Sequence, residues 1–278
     1  MSPPRVLVLG ASGQVGGALL ALLKQTGVEL LAVSRQPRPA EAGVTWLHGS
    51  LEDMPALPAG VDTWISVGPL DAFAAWVGQS GQQRPLRVVA LSSTGRNDKA
   101  ASPDAEELDL ARRLRDAEDS LFAGEPARVV TVLRPTLLYG SGRDRSLTRL
   151  VSIARRARLL PLPATATGLR QPVHVDDVAR AIVDCLEAPA SFGRTFDLPG
   201  GEALPFIEMI RRTLERHAPD ARVWLLPGWL FAAMAGFARV LGLSLAGRGV
   251  LARLARDQIA DAKPAAQAFG YAPRRFTP

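Results

Sequence analysis

The thirty residues from Arg5 to Ser34 constrain the fold more than any other part of the sequence. They open with an apolar run, Val6 to Leu9, that is too short for a buried helix and leads directly into glycines, so it predicts a parallel strand. Apolar residues then recur at helical spacing up to Gly27, a typical helix C-cap, before a second apolar strand from Val28 to Val33. The pattern predicts a strand, a glycine turn, a helix and a second strand.

The glycine turn has the spacing GxxGxxG, with glycines at positions 10, 13 and 16. Gly10 allows a sharp turn out of the strand, Gly13 lets backbone N–H groups approach a pyrophosphate, and Gly16 lets helix and sheet pack closely. We therefore assign the whole turn to a dinucleotide site, which adds Ser12, Gln14 and Val15. A βαβ turn that binds no ligand is the alternative.

The residue that closes the second strand distinguishes between two cofactors. NAD-selective sites carry an acidic side chain there, whereas this chain has Ser34 and Arg35, followed by Gln36 and Arg38. Arg35 can pair with a 2′-phosphate and Ser34 can hydrogen-bond to it, so NADP is favoured and NAD remains possible. The alternative is that Arg35 is an ordinary solvated loop charge.

Composition excludes several other classes of protein. The 278 residues suit one doubly wound domain with a small second lobe, and 47% hydrophobic with 22% charged residues is typical of a globular protein. The net charge of +6 comes mostly from arginines spread along the chain, so we expect no nucleic-acid partner.

The single cysteine, Cys185, predicts a core residue in a reducing compartment, with the cytoplasm as default. No signal peptide is expected, and the apolar stretch Val223 to Ala238 is interrupted by Pro227, so it predicts no transmembrane helix.

Further short apolar runs predict four more strands: Val44 to Leu47, Thr63 to Val67, Arg87 to Leu91 and Arg128 to Leu133. They alternate with helices or crossover-length loops, which predicts an α/β fold with a doubly wound parallel sheet, the Rossmann fold. We expect residues 1–140 to form this domain. Residues 141–278 would add the remaining sheet elements and a small, mostly helical substrate lobe, interleaved in space with the first part.

Polar residues and glycines follow several strands, where a doubly wound sheet binds its ligand. Ser50 is predicted to contact adenine or to form a turn, and Gly68 lets a nucleotide lie against the backbone. Ser92, Ser93 and Thr94 would hold a substrate oxygen or cap the strand end. No metal site is predicted.

Five motifs in order give the chain a family resemblance: GASGQVG, LSST, LRPTLLYG, RQPVHVDDVARAI and AFGYAPRRF. With these motifs it resembles the extended short-chain dehydrogenase/reductase superfamily, in the NAD-dependent epimerase/dehydratase branch. The resemblance implies that Thr94, with Ser93, orients a substrate oxygen. It also implies that Pro135 and Thr136 lie beside the nicotinamide. Arg170 would meet an anionic substrate, with a surface salt bridge as its alternative.

The chain departs from this family at its tyrosine–lysine pair, YxxxK, in which the tyrosine is the acid/base. Alignment on Glu118 puts Leu110 and Leu114 at the two positions, and neither can transfer a proton. Arg113 could approach the ribose, but an arginine stays charged near neutral pH. The sequence therefore resembles an atypical member without the standard mechanism.

The motif from Arg170 to Ile182 contains His174, which is either a catalytic base or, as we expect, a hydrogen-bonded structural residue. Asp176 or Asp177 is predicted to cap the helix that follows.

Two functions follow. One is an NADP-dependent enzyme that reduces a small carbonyl substrate. The other is a catalytically silent NADPH sensor or scaffold, like redox-sensing regulators or the accessory subunit of respiratory complex I. Such a protein, or a homodimer, would dock through the apolar segment at Trp224, Trp229, Phe231 and Phe237. Core packing of the small lobe is the alternative for that segment.

Overall fold

A computed structural model of the chain describes residues 3–79, 85–124, 129–142, 147–240 and 253–278, without the side chains of residues 235 and 237–240. Arg128, the predicted start of the sixth strand, and the side chain of Phe237 lie outside this description. The strands are β1 (Arg5–Leu9), β2 (Glu29–Ser34), β3 (Val44–His48), β4 (Val61–Ser66), β5 (Arg87–Leu91), β6 (Val129–Pro135), β7 (Leu138–Tyr139), β8 (Leu159–Pro163), β9 (Leu169–Arg170), β10 (Val173–His174), β11 (Arg194–Leu198), β12 (Leu204–Pro205) and β13 (Arg222–Leu226). The helices are α1 (Gly16–Leu23), α2 (Leu70–Gln79), α3 (Gly95–Asp98), α4 (Ala105–Phe122), α5 (Leu147–Ala157), α6 (Val175–Leu186), α7 (Phe206–His217), α8 (Gly228–Val240) and α9 (Lys263–Phe269).

The central sheet has seven strands, all parallel, in the order β11-β6-β5-β4-β1-β2-β3. The order reverses direction at β1, whose neighbours are β2 and β4, and a doubly wound sheet opens its ligand crevice at such a point. The predicted fold class is confirmed. The edge strand β11 comes from the C-terminal half of the chain and pairs with β6, so the two parts share one sheet. A division at residue 140 remains a prediction.

Alternate residues of the strands face two separate cores, because successive side chains of a strand point to opposite faces. Val6 and Val8 pack with α1 and α6 on one face, and Leu7 and Leu9 pack with α2 and α4 on the other. Both faces are covered, which explains why the strands read as continuous apolar runs. Cys185 is fully buried in the first core, as predicted, and burial raises the pKa of its thiol to about 12.

The C-terminal lobe combines helices α5 and α7 with two-stranded pairs such as β8 with β13. Its core contains Tyr139, Met209 and Phe276. The apolar segment formed by β13 and α8 is divided: Phe231 is buried against Leu226, whereas Trp224 and Trp229 are 50% and 74% exposed. In the part of the chain that the structure describes, no helix is long and apolar enough to cross a membrane. Docking through this segment remains a prediction.

Candidate functional site

The glycine turn after β1 is built as the spacing predicts. Gly10 has a φ of +78°, and a Cβ at this position would lie 2.6 Å from the backbone nitrogen of Gly68 at the end of β4. Its carbonyl accepts a hydrogen bond of 2.8 Å from the Gly13 amide, which closes the turn. Only glycine combines this left-handed conformation with such a close backbone approach.

The turn presents free amides at the start of α1. Among the described residues, the amides of Gln14 and Val15 have no backbone hydrogen-bond partner. Val15 as a whole, backbone included, is 2% exposed. The side-chain oxygen of Gln14 is buried and has no partner within the same described part of the chain. Free amides and the positive end of the helix dipole together suit an anion.

A cleft of about 270 Å³ lies at the carboxyl ends of β1 to β4. Seven of the residues predicted to bind cofactor line it: Gly10, Ser12, Gly13, Ser34, Arg35, Ser50 and Gly68. The structure thus brings together residues from four separate strand ends. Gln14, Val15 and Gly16 adjoin the cleft through the same turn.

Two of the cleft hydroxyls are occupied by local hydrogen bonds. The Ser34 hydroxyl donates to the Gln36 carbonyl at 2.8 Å, and the Ser50 hydroxyl accepts from the Asp53 amide at 3.0 Å. Ser50 therefore has the turn role that the sequence left open, while still lining the cleft. Arg35 is exposed and has no ion pair or hydrogen bond with any residue that the structure describes.

The three hydroxyl residues after β5 have different partners. Ser92 donates to the Glu118 carboxylate at 2.5 Å, and Ser93 accepts from the Gly95 amide at 3.0 Å. Thr94 donates its amide to the Pro135 carbonyl at 3.2 Å, which joins the ends of β5 and β6. Ser92 is therefore directed toward α4 rather than into the cleft that β1 to β4 form.

Sequence reasoning missed a buried charge cluster around Glu118. This carboxylate is 1% exposed and accepts from Arg134 Nε at 2.9 Å, while Arg96 Nε lies 3.1 Å away. Arg134 comes from β6 and also approaches Asp197 of β11. In the sequence, the only signal is a carboxylate at an apolar-facing helical position, which is unfavourable unless a cation pairs with it.

The two leucines at the tyrosine and lysine positions pack into the core between α4 and the sheet. Leu114 is a buried member of that core, and Leu110 is partly buried against it. Neither position presents a proton donor to the cleft.

Residues 6–63 and 122–198 match the model of the NAD dependent epimerase/dehydratase family. The chain resembles this family over these residues. It is 26% identical to the 2-alkyl-3-oxoalkanoate reductase of Stenotrophomonas maltophilia (strain K279a), over 97% of this chain and 95% of that protein. It is also 28% identical to the NADH dehydrogenase (ubiquinone) 1 alpha subcomplex subunit 9, mitochondrial, of Arabidopsis thaliana, over 54% of this chain and 35% of that protein.

The fold is similar to that of UDP-glucuronic acid 4-epimerase from Bacillus cereus, solved in complex with UDP-glucuronic acid and NAD. The TM-score is 0.73 at 14% identity, over 98% of this chain and 95% of that one. This likeness shows the fold alone.

The residues present fit the dinucleotide of the epimerase/dehydratase family. Side chains at Gly10 and Gly16 would meet backbone atoms at 2.6 and 2.2 Å, so the turn holds the shape of a phosphate cradle only with glycine. The Gln14 amide and the Arg35 side chain, which have no partner among the described residues, would supply donors for phosphate groups.

Arg170 is 5% exposed, so it forms no surface salt bridge. Its guanidinium donates to the carbonyls of Leu169, Arg253 and Arg256 at 2.7 to 2.8 Å. These bonds fix the segment after residue 252 against β9. The Thr136 hydroxyl likewise donates to a main-chain carbonyl, that of Gln171.

His174 is the N-cap of α6, so the prediction of Asp176 or Asp177 as the cap is wrong. The ring Nδ1 of His174 accepts from the Asp176 amide at 3.2 Å, and the ring packs edge-on against Tyr139. The Asp177 carboxylate instead accepts two hydrogen bonds from Arg274. Burial lowers the pKa of His174, against the attraction of Asp176. These contacts give His174 the structural role that we expected.

Proposed function

We propose that this protein is an NADP(H)-dependent reductase of a small carbonyl substrate, of an atypical kind without the tyrosine–lysine pair. The observation that carries the proposal is the cleft at β1 to β4, in which a glycine cradle faces Arg35. The predicted cofactor residues that line this cleft would bind the dinucleotide.

The preference for NADP rests on the end of β2. A carboxylate there would accept the ribose hydroxyls of NAD, but Ser34 and Arg35 occupy the position. Arg35 reaches the cleft and has no partner among the residues that the structure describes, so a 2′-phosphate would gain charge-assisted hydrogen bonds without breaking one of those pairs. Glu52 also lines the cleft, but it comes from the turn after β3.

The reductase assignment is supported by the named reductase from Stenotrophomonas, which this chain matches over nearly its whole length. A bound reduced nicotinamide supplies hydride to a carbonyl carbon. Thr94, at the joined ends of β5 and β6, and Ser93 beside it would hold the carbonyl oxygen. Pro135 and Thr136 would support the nicotinamide from the end of β6.

Calorimetric titration with NADPH and NADH tests the cofactor site. Charge-assisted hydrogen bonds contribute about 1.5–3 kcal/mol, so Arg35→Asp should weaken NADPH binding by about 10- to 100-fold without weakening NADH. Arg38→Asp is the matched control, because Arg38 stacks on Trp46 outside the cleft. An equal loss in both variants, or a wild-type preference for NADH, would contradict the NADP assignment.

Turnover is tested by NADPH oxidation with a panel of small ketones and aldehydes, beginning with 3-oxo acids, the substrate class in the relative's name. The alternative is a silent NADPH-binding protein, which the core packing of Leu110 and Leu114 favours. The similarity to a named subunit of NADH dehydrogenase supports it. Tight NADPH binding with no oxidation by any substrate would select this alternative.

A further inference from the structure

Lys99 lies near the Ser93 hydroxyl of the proposed carbonyl site. It directly follows α3, the short helix that begins after Thr94. A Cβ on Gly95 would lie 3.2 Å from the Ser93 hydroxyl oxygen and 3.7 Å from both Cδ and Cε of Lys99. Because Gly95 has no side chain, the end of the Lys99 side chain and the Ser93 hydroxyl both lie near the position that a Cβ on Gly95 would take.

The ammonium of Lys99 is half-buried and unpaired. It has no ion pair or hydrogen bond with any residue inside the described ranges, whereas Lys24 pairs with Glu41. Burial lowers the pKa of Lys99, and the charge of Arg253 lowers it further. Asp98 and Asp104 oppose both effects. A half-buried cation without a partner destabilises the folded protein unless a ligand pairs with it.

The neighbouring hydroxyls do not supply a proton themselves. The Thr94 hydroxyl lies beside the Asp98 carboxyl, and a threonine hydroxyl is too weak an acid to release its proton. Ser93 accepts from the Gly95 amide and keeps its hydrogen for the substrate, but a serine hydroxyl is far too weak an acid to release it. The guanidinium groups of Arg96, Arg170 and Arg253 do not deprotonate in proteins.

We propose that Lys99 is the proton donor of the carbonyl reduction, in the place of the family's tyrosine. This inference rests on the proposed reductase function. As the hydride joins the carbonyl carbon, the carbon–oxygen π bond opens. The oxygen then takes a proton from the Lys99 ammonium, which is left as a neutral amine. Solvent returns the proton to the amine after the alcohol leaves.

The first test needs neither cofactor nor substrate. The chain has three lysines, at positions 24, 99 and 263, so competitive acetylation at a series of pH values, read by peptide mass spectrometry, follows each one separately. We expect Lys99 to reach half of its maximal reactivity at a lower pH than Lys263, which is exposed at the start of α9. The same midpoint for both lysines would overturn the proposal.

The second test is kinetic and uses the carbonyl substrate that wild type turns over best. A general acid contributes about 100- to 10,000-fold, so Lys99→Met should lower kcat by at least about 100-fold with unchanged calorimetric NADPH affinity. Lys99→Arg should be equally slow, because arginine keeps the charge but does not release a proton. Wild-type kcat should fall as pH rises through the Lys99 pKa, and neither variant should show this fall. Lys263→Met is the control that keeps wild-type activity.

The outcomes separate the two proposals. Near-normal turnover by Lys99→Arg, or by Lys99→Met, would overturn the acid role and leave the reductase function standing. Tight NADPH binding by wild type with no turnover on any carbonyl would overturn the reductase function and the acid role with it. A low labelling midpoint together with slow, correctly folded variants supports both.

Discussion

Gly16 is the first residue of α1, and we predict that Gly16→Ala damages both stability and cofactor binding. An added Cβ would lie 2.2 Å from the carbonyl oxygen of Ala11, 2.4 Å from its carbon and 2.6 Å from its Cα. All three atoms belong to the backbone, so no side-chain rotation relieves the overlap. The loop between β1 and α1 must move, and with it the amides of Gln14 and Val15.

The adjacent Gly17 supplies a matched control, because a Cβ there would meet nothing within 4 Å. In a helix, alanine is more favourable than glycine by about 0.5–1 kcal/mol, so Gly17→Ala should stabilise the protein by up to that amount. Gly16→Ala has the same gain in helix propensity, but its Cβ overlaps the rigid backbone of Ala11. Such overpacking typically costs about 1–3 kcal/mol. Because the gain in propensity cancels, we expect the free energies of unfolding of the two variants to differ by about 1–3 kcal/mol.

Urea unfolding gives this difference directly, and thermal unfolding should separate the two variants by at least about 2 °C for a chain of this size. In a calorimetric titration, NADPH should bind Gly17→Ala like wild type and bind Gly16→Ala more weakly. Equal stability of the two variants would refute the steric argument. Equal NADPH affinity would refute the assignment of this turn to the cofactor.

Two further predictions concern buried polar groups. Glu118→Ala should destabilise the protein by about 3–5 kcal/mol in urea unfolding, because it leaves Arg134 buried without its carboxylate. Asp119→Ala, next to it and exposed, should cost less than about 0.5 kcal/mol, and a similar cost for both would contradict the burial argument. His174→Ala should cost about 1 kcal/mol near neutral pH, because it removes the cap of α6. The pKa of His174 is lowered from 6.5 in the folded state, so its contribution is present above that pH and is lost as pH falls through the folded pKa. His174→Asn should keep the cap and lose this pH dependence, and an unchanged pH profile of stability would exclude His174 as its source.

Much of the site followed from local sequence. The glycine spacing predicted the turn, and the apolar runs predicted the ends of β1 to β6 to within about two residues. Since parallel strands end on one edge, this was enough to bring Ser34, Ser50 and Gly68 into one cleft. The hydrogen bonds of Ser34 and Ser50 span two or three residues, but a serine in a turn and a serine that binds a ligand have the same sequence pattern.

What the sequence alone did not determine depends on contacts between distant segments. Arg170 donates to carbonyls more than 80 residues away, and Glu118 pairs with Ser92 and Arg134 from two different strands. The edge strand β11, Arg194–Leu198, is a further case, because its place in the main sheet follows from its pairing with β6, which is distant in sequence.

By itself, the sequence determined the sheet, its glycine turn and the absence of the tyrosine–lysine pair, because periodicity and residue type act within a few residues. Tertiary structure decided which polar groups remain free. Within the described residues Arg35 and Lys99 have no partner, whereas Arg134 pairs with Glu118 and Arg170 donates to main-chain carbonyls. A side chain's partners are set by which segments fold against it, and that information is not contained in local spacing.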